Sequence, residues 1–274
     1  MLGNAVFRYL TLNTAYHVYG TVRSSAALKR FDATTHDRIM TNVDVEDSDR
    51  LLQVMGSVRP DVVVNCIGLI KQLADANDPL VALPVNALLP HRLARMCQLA
   101  RARLVHISTD CVFSGSKGMY LESDESDAKD LYGKSKFLGE VAYSHTITLR
   151  TSIIGHELNS SVALIDWFLA QKGDVKGYTN AFFSGLPTVE LARVIGEFVI
   201  PNPQLSGLYH VSADRISKYD LLTLVARQYR STVTIHPDSN LKIDRSLDSS
   251  RFTQATGYRA PGWEALVERM HQFK

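Results

Sequence analysis

Two short runs constrain this chain more than any other feature. Asp61-Val-Val-Val-Asn-Cys-Ile-Gly68 and Leu104-Val-His-Ile-Ser-Thr109 are continuously apolar until they end in polar residues. A strand with one wet face alternates; a continuous run marks a strand covered on both faces, as in parallel sheets packed between helices. Helical segments separate these runs. Leu2, Val6, Phe7 and Leu10 share one face of Met1–Leu10, Asp49–Val58 is amphipathic and stopped by Pro60, and a long helix opens at Val85-Asn86 and runs to Ala100. The alternation predicts an α/β fold built on a doubly wound parallel sheet. Such sheets bind ligands at the carboxyl ends of their strands.

Chemistry concentrates just past the second run. Thr109 stands at a predicted strand end, and the stretch Asp130-Leu-Tyr-Gly-Lys-Ser-Lys-Phe-Leu-Gly-Glu140 follows. Tyr132 and Lys136 are four apart, so on a helix they share one face, one turn from each other. An ammonium beside a phenol stabilises the phenolate and is expected to draw the Tyr132 pKa down toward neutrality. Thr109, Tyr132 and Lys136 together could hold a carbonyl oxygen and protonate it. The spacing alone is weak, because a surface tyrosine beside a solvated lysine gives the same pattern.

Ser108-Thr-Asp-Cys-Val-Phe113 followed by Tyr132-Gly-Lys-Ser-Lys136 and Gly139-Glu140 resembles the extended short-chain dehydrogenase/reductase family, in particular its dTDP-4-dehydrorhamnose reductase branch. That branch usually carries tyrosine where Cys111 stands. The resemblance implies a Rossmann-type domain over residues 1–155 that carries cofactor and triad. Residues 156–274 would mainly form a smaller α/β lobe for a nucleotide sugar, with some segments returning to the sheet. Thr109, Tyr132 and Lys136 would be catalytic. Cofactor contacts would come from Gly3, Arg23, Ser24, Asp44, Val45, Asn65, Gly68 and Thr151, besides Tyr132 and Lys136. Substrate contacts would come from Lys71, Asp110, Trp167, Thr188 and Arg245. Asn86 would be buried beside the site, with a simple helix N-cap as its competing reading.

The opening departs from the family pattern. A dinucleotide fold begins with a buried strand and a Gly-x-x-Gly-x-x-Gly turn. Here Gly3 matches only the third glycine, so the sheet is expected to lack its first strand, and the sequence is expected to start inside the motif. His17–Val22 reads as the second strand and Asn42–Val45 as the end of the third. Arg23, with no acid at the second strand's end, suits the 2′-phosphate of NADP, so NADPH is the expected cofactor and NADH the alternative.

Composition adds exclusions. Lys plus Arg is 30 and Asp plus Glu is 28, a net charge of +2, which supplies no field for nucleic acid or a membrane surface. No apolar run approaches a membrane span and no signal peptide opens the chain, so a cytoplasmic protein is expected. Cys66, Cys97 and Cys111 lack metal-like spacing and read as buried, reduced and inert, and no metal is expected. Glu122, Asp124, Glu125, Asp127 and Asp130 read as a solvated acidic loop, and Trp167 reads more readily as core than as a ligand of a base. The expected function is NADPH-dependent reduction of a nucleotide-linked 4-keto-6-deoxy sugar for surface polysaccharide, with a homodimer left open. The alternatives are a reductase of a UDP-linked N-acetylated 4-keto sugar, an epimerase or dehydratase, and a non-catalytic subunit resembling the regulatory subunit of methionine adenosyltransferase.

Overall fold

The computed structural model describes residues 1–69, 77–158 and 161–273. Its centre is a four-stranded, all-parallel sheet in the spatial order Gly207–His210, Thr146–Thr151, Arg103–Thr109, Val62–Asn65. The Arg103–Thr109 strand is buried along its whole length, which is why its sequence does not alternate. Its side chains divide between two cores. Val105 and Ile107 pack with Leu2, Val6 and Leu10 of the Leu2–Asn13 helix and with Leu191, Val194 and Ile195. Leu104 faces the other way, onto Leu51, Leu89, Leu93 and Cys97 of the Ser48–Val58 and Leu89–Ala100 helices. Helices therefore cover both faces.

A second, two-stranded parallel sheet pairs Gly20–Thr21 with Ile39–Met40 and shares no ladder with the first among the described residues. The third strand lies earlier than predicted: it spans Ile39–Met40, and Asn42 takes a left-handed φ of 55°. Asparagine tolerates that conformation, which breaks the extended run before Asp44 and Val45. In the C-terminal part, Asp174–Tyr178 pairs in parallel with Thr234–Asp238, and Ala181–Phe183 lies between Ile216–Ser217 and Ile243–Asp244. The segment before Thr188 thus holds short strands.

The turn before the Leu89–Ala100 helix differs from the prediction in kind. Pro79–Ala82, a π-helical turn Leu83–Leu88 and Leu89–Ala100 run on without a break. Asn86 is therefore not an N-cap. It sits fully buried in the π turn, a local widening that turns a side chain inward.

One buried ion pair joins the segment after the Tyr132 helix to the sheet. Arg150 donates from Nε and Nη2 to the two oxygens of Glu140, both at 2.7 Å, and Ser108 Oγ donates to Glu140 Oε1 at 2.7 Å. Side-chain exposure is 3% for Arg150 and 10% for Glu140, so each charge depends on the other. Arg150 is thus held inside the protein by Glu140. Arg150→Met is expected to lower the urea midpoint by an amount equivalent to about 3–5 kcal/mol, because it strands a buried carboxylate. The double variant Glu140→Leu/Arg150→Met should recover part of that loss in the same measurement; a neutral single variant would show that the pair is not what anchors Glu140.

Candidate active site

The Leu131–Leu138 helix carries Tyr132 and Lys136, and its start is set by Asp130, whose Oδ1 accepts from the Gly133 N–H at 2.8 Å. Two glycines let the helix approach its neighbours. A Cβ on Gly133 would collide with the Cys111 carbonyl oxygen, and one on Gly139 with the Asn86 carbonyl oxygen. The first contact presses the helix onto the end of the Arg103–Thr109 strand; the second presses it onto the π turn.

Thr109 is buried, lies close enough to the Tyr132 phenol to favour its ionised form, and accepts the Cys111 N–H at 3.1 Å. It also donates to Asp110 Oδ1 at 3.2 Å. Thr109 and Tyr132 therefore meet, as the sequence predicted. The expected lowering of the Tyr132 pKa is not found. Burial raises it well above the ordinary phenol range, and the charges of Cys111 and Asp110 push the same way. Lys136 does not bond the phenol: its Nζ donates to the Ile107 carbonyl at 2.8 Å. Spacing put the two side chains on one face, but burial of the hydroxyl outweighs a lysine held by a backbone carbonyl. Lys136 is itself buried, which pulls its pKa down to about 8, with Glu140 acting in the opposite direction. The phenol is thus a full-time proton carrier at neutral pH, and a lysine that can change charge near pH 8 stands one turn away.

The Asn65–Gly68 turn forms the neighbouring wall. Gly68 is exposed, and a Cβ there would lie 3.3 Å from Asn86 Oδ1 and 3.7 Å from Lys136 Nζ. Asn86 Oδ1 accepts the Leu69 N–H at 2.9 Å, and its Nδ2 donates to Ser135 Oγ at 3.2 Å. Asp110 is buried and its pKa is raised by that burial, against Arg245 and hydrogen bonds from Cys111, Thr109 and Ser152. Arg245 is tied by Nε to the Phe113 carbonyl at 2.7 Å. Two participants were not singled out in the sequence: Ser152, and Lys218, whose half-buried ammonium senses Arg245, Asp110 and Cys111. Lys218 lies directly after the helix cap Ser217, about eighty residues beyond Lys136, and no local pattern marks it.

The remaining predicted residues are spread wider. Arg23 is exposed just past Gly20–Thr21, Ser24 caps a short helical turn by accepting the Ala26 N–H, and exposed Asp44 accepts the Glu46 N–H at 3.0 Å. Val45 is half-buried, against the second core. Gly3 lies against Cys66, but a Cβ there would stand 3.6 Å from Cys66 Cβ, ordinary contact, so this glycine is not demanded by packing. Thr151 is buried opposite Thr109, and Thr188 is buried at the start of its helix. Trp167 is 37% exposed, not core. Lys71 lies outside the described residues. The acidic loop is not simply solvated: Asp127 accepts the Ser114 N–H, Asp124 the Leu121 N–H, and Glu122 the His210 N–H. Of the cysteines, Cys97 is buried and Cys66 and Cys111 half-buried; burial pushes the Cys66 thiol up to about 12 and Cys97 to about 11, so both stay protonated. Among the described residues no helix is long and apolar enough to cross a membrane, and no cluster of His, Cys, Asp and Glu is set to hold a metal ion.

A family model described as RmlD substrate binding domain matches residues 2–272. The chain is 25% identical to dTDP-4-dehydrorhamnose reductase of Escherichia coli (strain K12), over 83% of this chain and 84% of that protein. It is 25% identical to methionine adenosyltransferase 2 subunit beta of Bos taurus, over 100% of this chain and 85% of that one. Among solved structures, dTDP-4-dehydrorhamnose reductase from Bacillus anthracis in complex with NADP superposes with a TM-score of 0.76 at 22% identity, covering 93% of this chain and 98% of the other.

Lys136 offers a direct test of this electrostatic picture. Its folded pKa lies below the unfolded value of about 10.4, so the charge opposes folding at every pH below about 8 and the penalty fades as the pH rises toward about 10. Lys136→Met is therefore expected to melt higher than the parent chain at pH 7, with the difference narrowing by pH 10. A constant difference across that range would show that Lys136 is not held near 8.

Proposed function

Because the chain belongs to the RmlD substrate binding domain family, we propose that it is an NADPH-dependent oxidoreductase that reduces the C4 keto group of a nucleotide-activated 4-keto-6-deoxy sugar, a step in surface polysaccharide synthesis. The observation that carries this reading is the placing of Thr109 beside Tyr132, with Lys136 one turn away, at the carboxyl end of a buried parallel strand. The relatives named dTDP-4-dehydrorhamnose reductase and a spore coat polysaccharide biosynthesis protein of Bacillus subtilis (strain 168) support the substrate class. Residues 1–155 would serve the cofactor and the triad, and residues 156–274 mainly the nucleotide sugar.

The residues present fit a dinucleotide. Gly68 leaves open backbone beside Lys136, and Arg23 is exposed at a strand end with no ion pair among the described residues. Arg23 and Ser24 would hold the 2′-phosphate, Asp44 and Val45 the adenine, and Gly3, Asn65, Gly68 and Thr151 the remainder. NADPH supplies the hydride for C4. Thr109 orients the keto oxygen, and Tyr132, protonated at working pH, gives its proton to the oxyanion that forms. Lys136 holds the nicotinamide ribose and steadies the resulting phenolate. Asp110, Trp167, Thr188 and Arg245 would line the sugar-nucleotide side, Arg245 facing the diphosphate with the guanidinium nitrogens that Phe113 does not engage. Lys71 belongs to the same expectation.

Full-length similarity to the beta subunit of methionine adenosyltransferase 2 supports a second reading, a binding subunit of the same fold. NADPH oxidation in the presence of a dTDP- or UDP-linked 4-keto sugar separates the two. Tyr132→Phe removes one oxygen and keeps the ring, so it should bind NADPH as the parent does and lose at least about 10²–10⁴-fold in turnover. NADPH binding without any turnover in the parent chain would favour the binding subunit. Arg23→Ala should weaken NADPH by roughly 1–3 kcal/mol and leave NADH nearly unchanged. Equal losses for both, measured by fluorescence titration, would remove Arg23 from the phosphate site.

A further inference from the structure

His106 is a buried group that the reaction above does not use. It has no solvent exposure, its Nδ1 lies 3.1 Å from Asn65 Nδ2, and its Nε2 has no hydrogen-bond partner. The direction of that bond is fixed from the other side. Asn65 Oδ1 accepts the Ile67 N–H at 3.1 Å, so the Asn65 amide nitrogen must donate and His106 Nδ1 must accept. The ring proton therefore sits on Nε2, where it is unsatisfied. Burial, followed by the charges of Lys136 and His91, holds the imidazole well below the ordinary histidine range, so Nδ1 stays an acceptor at working pH. An orphaned buried N–H is a cost in stability, and an aliphatic side chain would avoid it.

What the residue accomplishes is visible in its connections. The Asn65–Gly68 turn is pinned at its start by His106 through Asn65 and at its end by Asn86, which accepts the Leu69 N–H. Asn86 passes through Ser135 Oγ to the Tyr132 carbonyl, and Lys136 Nζ is tied to the peptide of Ile107, next to His106. We propose that His106 is a positioning residue, whose neutral Nδ1 holds the Asn65 amide so that the Asn65–Gly68 turn keeps the shape against Lys136 that receives the dinucleotide. The use of that turn by the dinucleotide rests on the function proposed above; the positioning of the turn does not.

The test compares His106→Leu, His106→Asn, Asn65→Ala and the double variant His106→Leu/Asn65→Ala. Asparagine places its Oδ1 at the same covalent depth as Nδ1 and can accept the same bond; leucine cannot. Without cofactor, amide exchange at Ile67 should speed up at least about tenfold in His106→Leu and return to within about twofold of the parent in His106→Asn. The NADPH dissociation constant should follow, about tenfold weaker in His106→Leu and restored in His106→Asn. The double variant should be no worse than Asn65→Ala alone, since that substitution already removes the bond to His106 together with the acceptor of the Ile67 N–H. Unchanged Ile67 exchange in His106→Leu, equal losses in the leucine and asparagine variants, or additive effects would each overturn the proposal. If the parent chain binds no NADPH, the proposed function fails, and the exchange at Ile67 decides the role of His106 by itself.

Discussion

Everything at the site depends on how closely one short helix is pressed onto the carboxyl end of the parallel sheet. Gly133 and Gly139 remove the two Cβ atoms that would hold the Leu131–Leu138 helix away from Cys111 and Asn86. Glu140, immediately after it, is locked to Arg150 and Ser108 inside the protein. The ends of the helix are thus fixed by a cap at Asp130 and a buried ion pair at Glu140. Only under those restraints do Tyr132 and Lys136, two groups with a polar end each, come to rest in a buried environment.

That burial sets the electrostatics. A phenol and an ammonium left at the surface would titrate near their usual values; here the phenol is raised and the ammonium is drawn to about 8, both chiefly by loss of water. The outcome suits proton donation to a carbonyl oxygen, since the donor stays loaded until an oxyanion forms. Charged groups gather beside this pair: Asp110, Arg245 and Lys218 lie within electrostatic reach of one another.

The sequence made the sheet and the triad readable because both rest on local rules. The mainly apolar run at Leu104–Thr109 announces a strand buried on both faces, whereas the similar run at Val62–Asn65 proves to be a half-buried edge strand, and a four-residue spacing places Tyr132 and Lys136 together on any helix. The exact span of the third strand was not readable, because one asparagine, Asn42, chose a left-handed conformation that several neighbouring residues did not require. The π turn around Asn86 was hidden for a similar reason: nothing local distinguishes it from an ordinary helix start.

What the chain determined by itself is therefore the class of fold, the segment that carries the reactive side chains and their relative spacing along one helix, since periodicity and steric preference act within a few residues. Tertiary structure alone decided which of those side chains are dry and which partners they meet. The Lys136 ammonium went to the Ile107 carbonyl rather than to Tyr132, Arg150 to Glu140, and Asn65 to His106, forty-one residues away. Parallel strands have no turn to set their register. Each of these meetings follows from where helix and strand come to rest in the packed core, and the balance between burial and charge at Tyr132 and Lys136 exists only once that packing is complete.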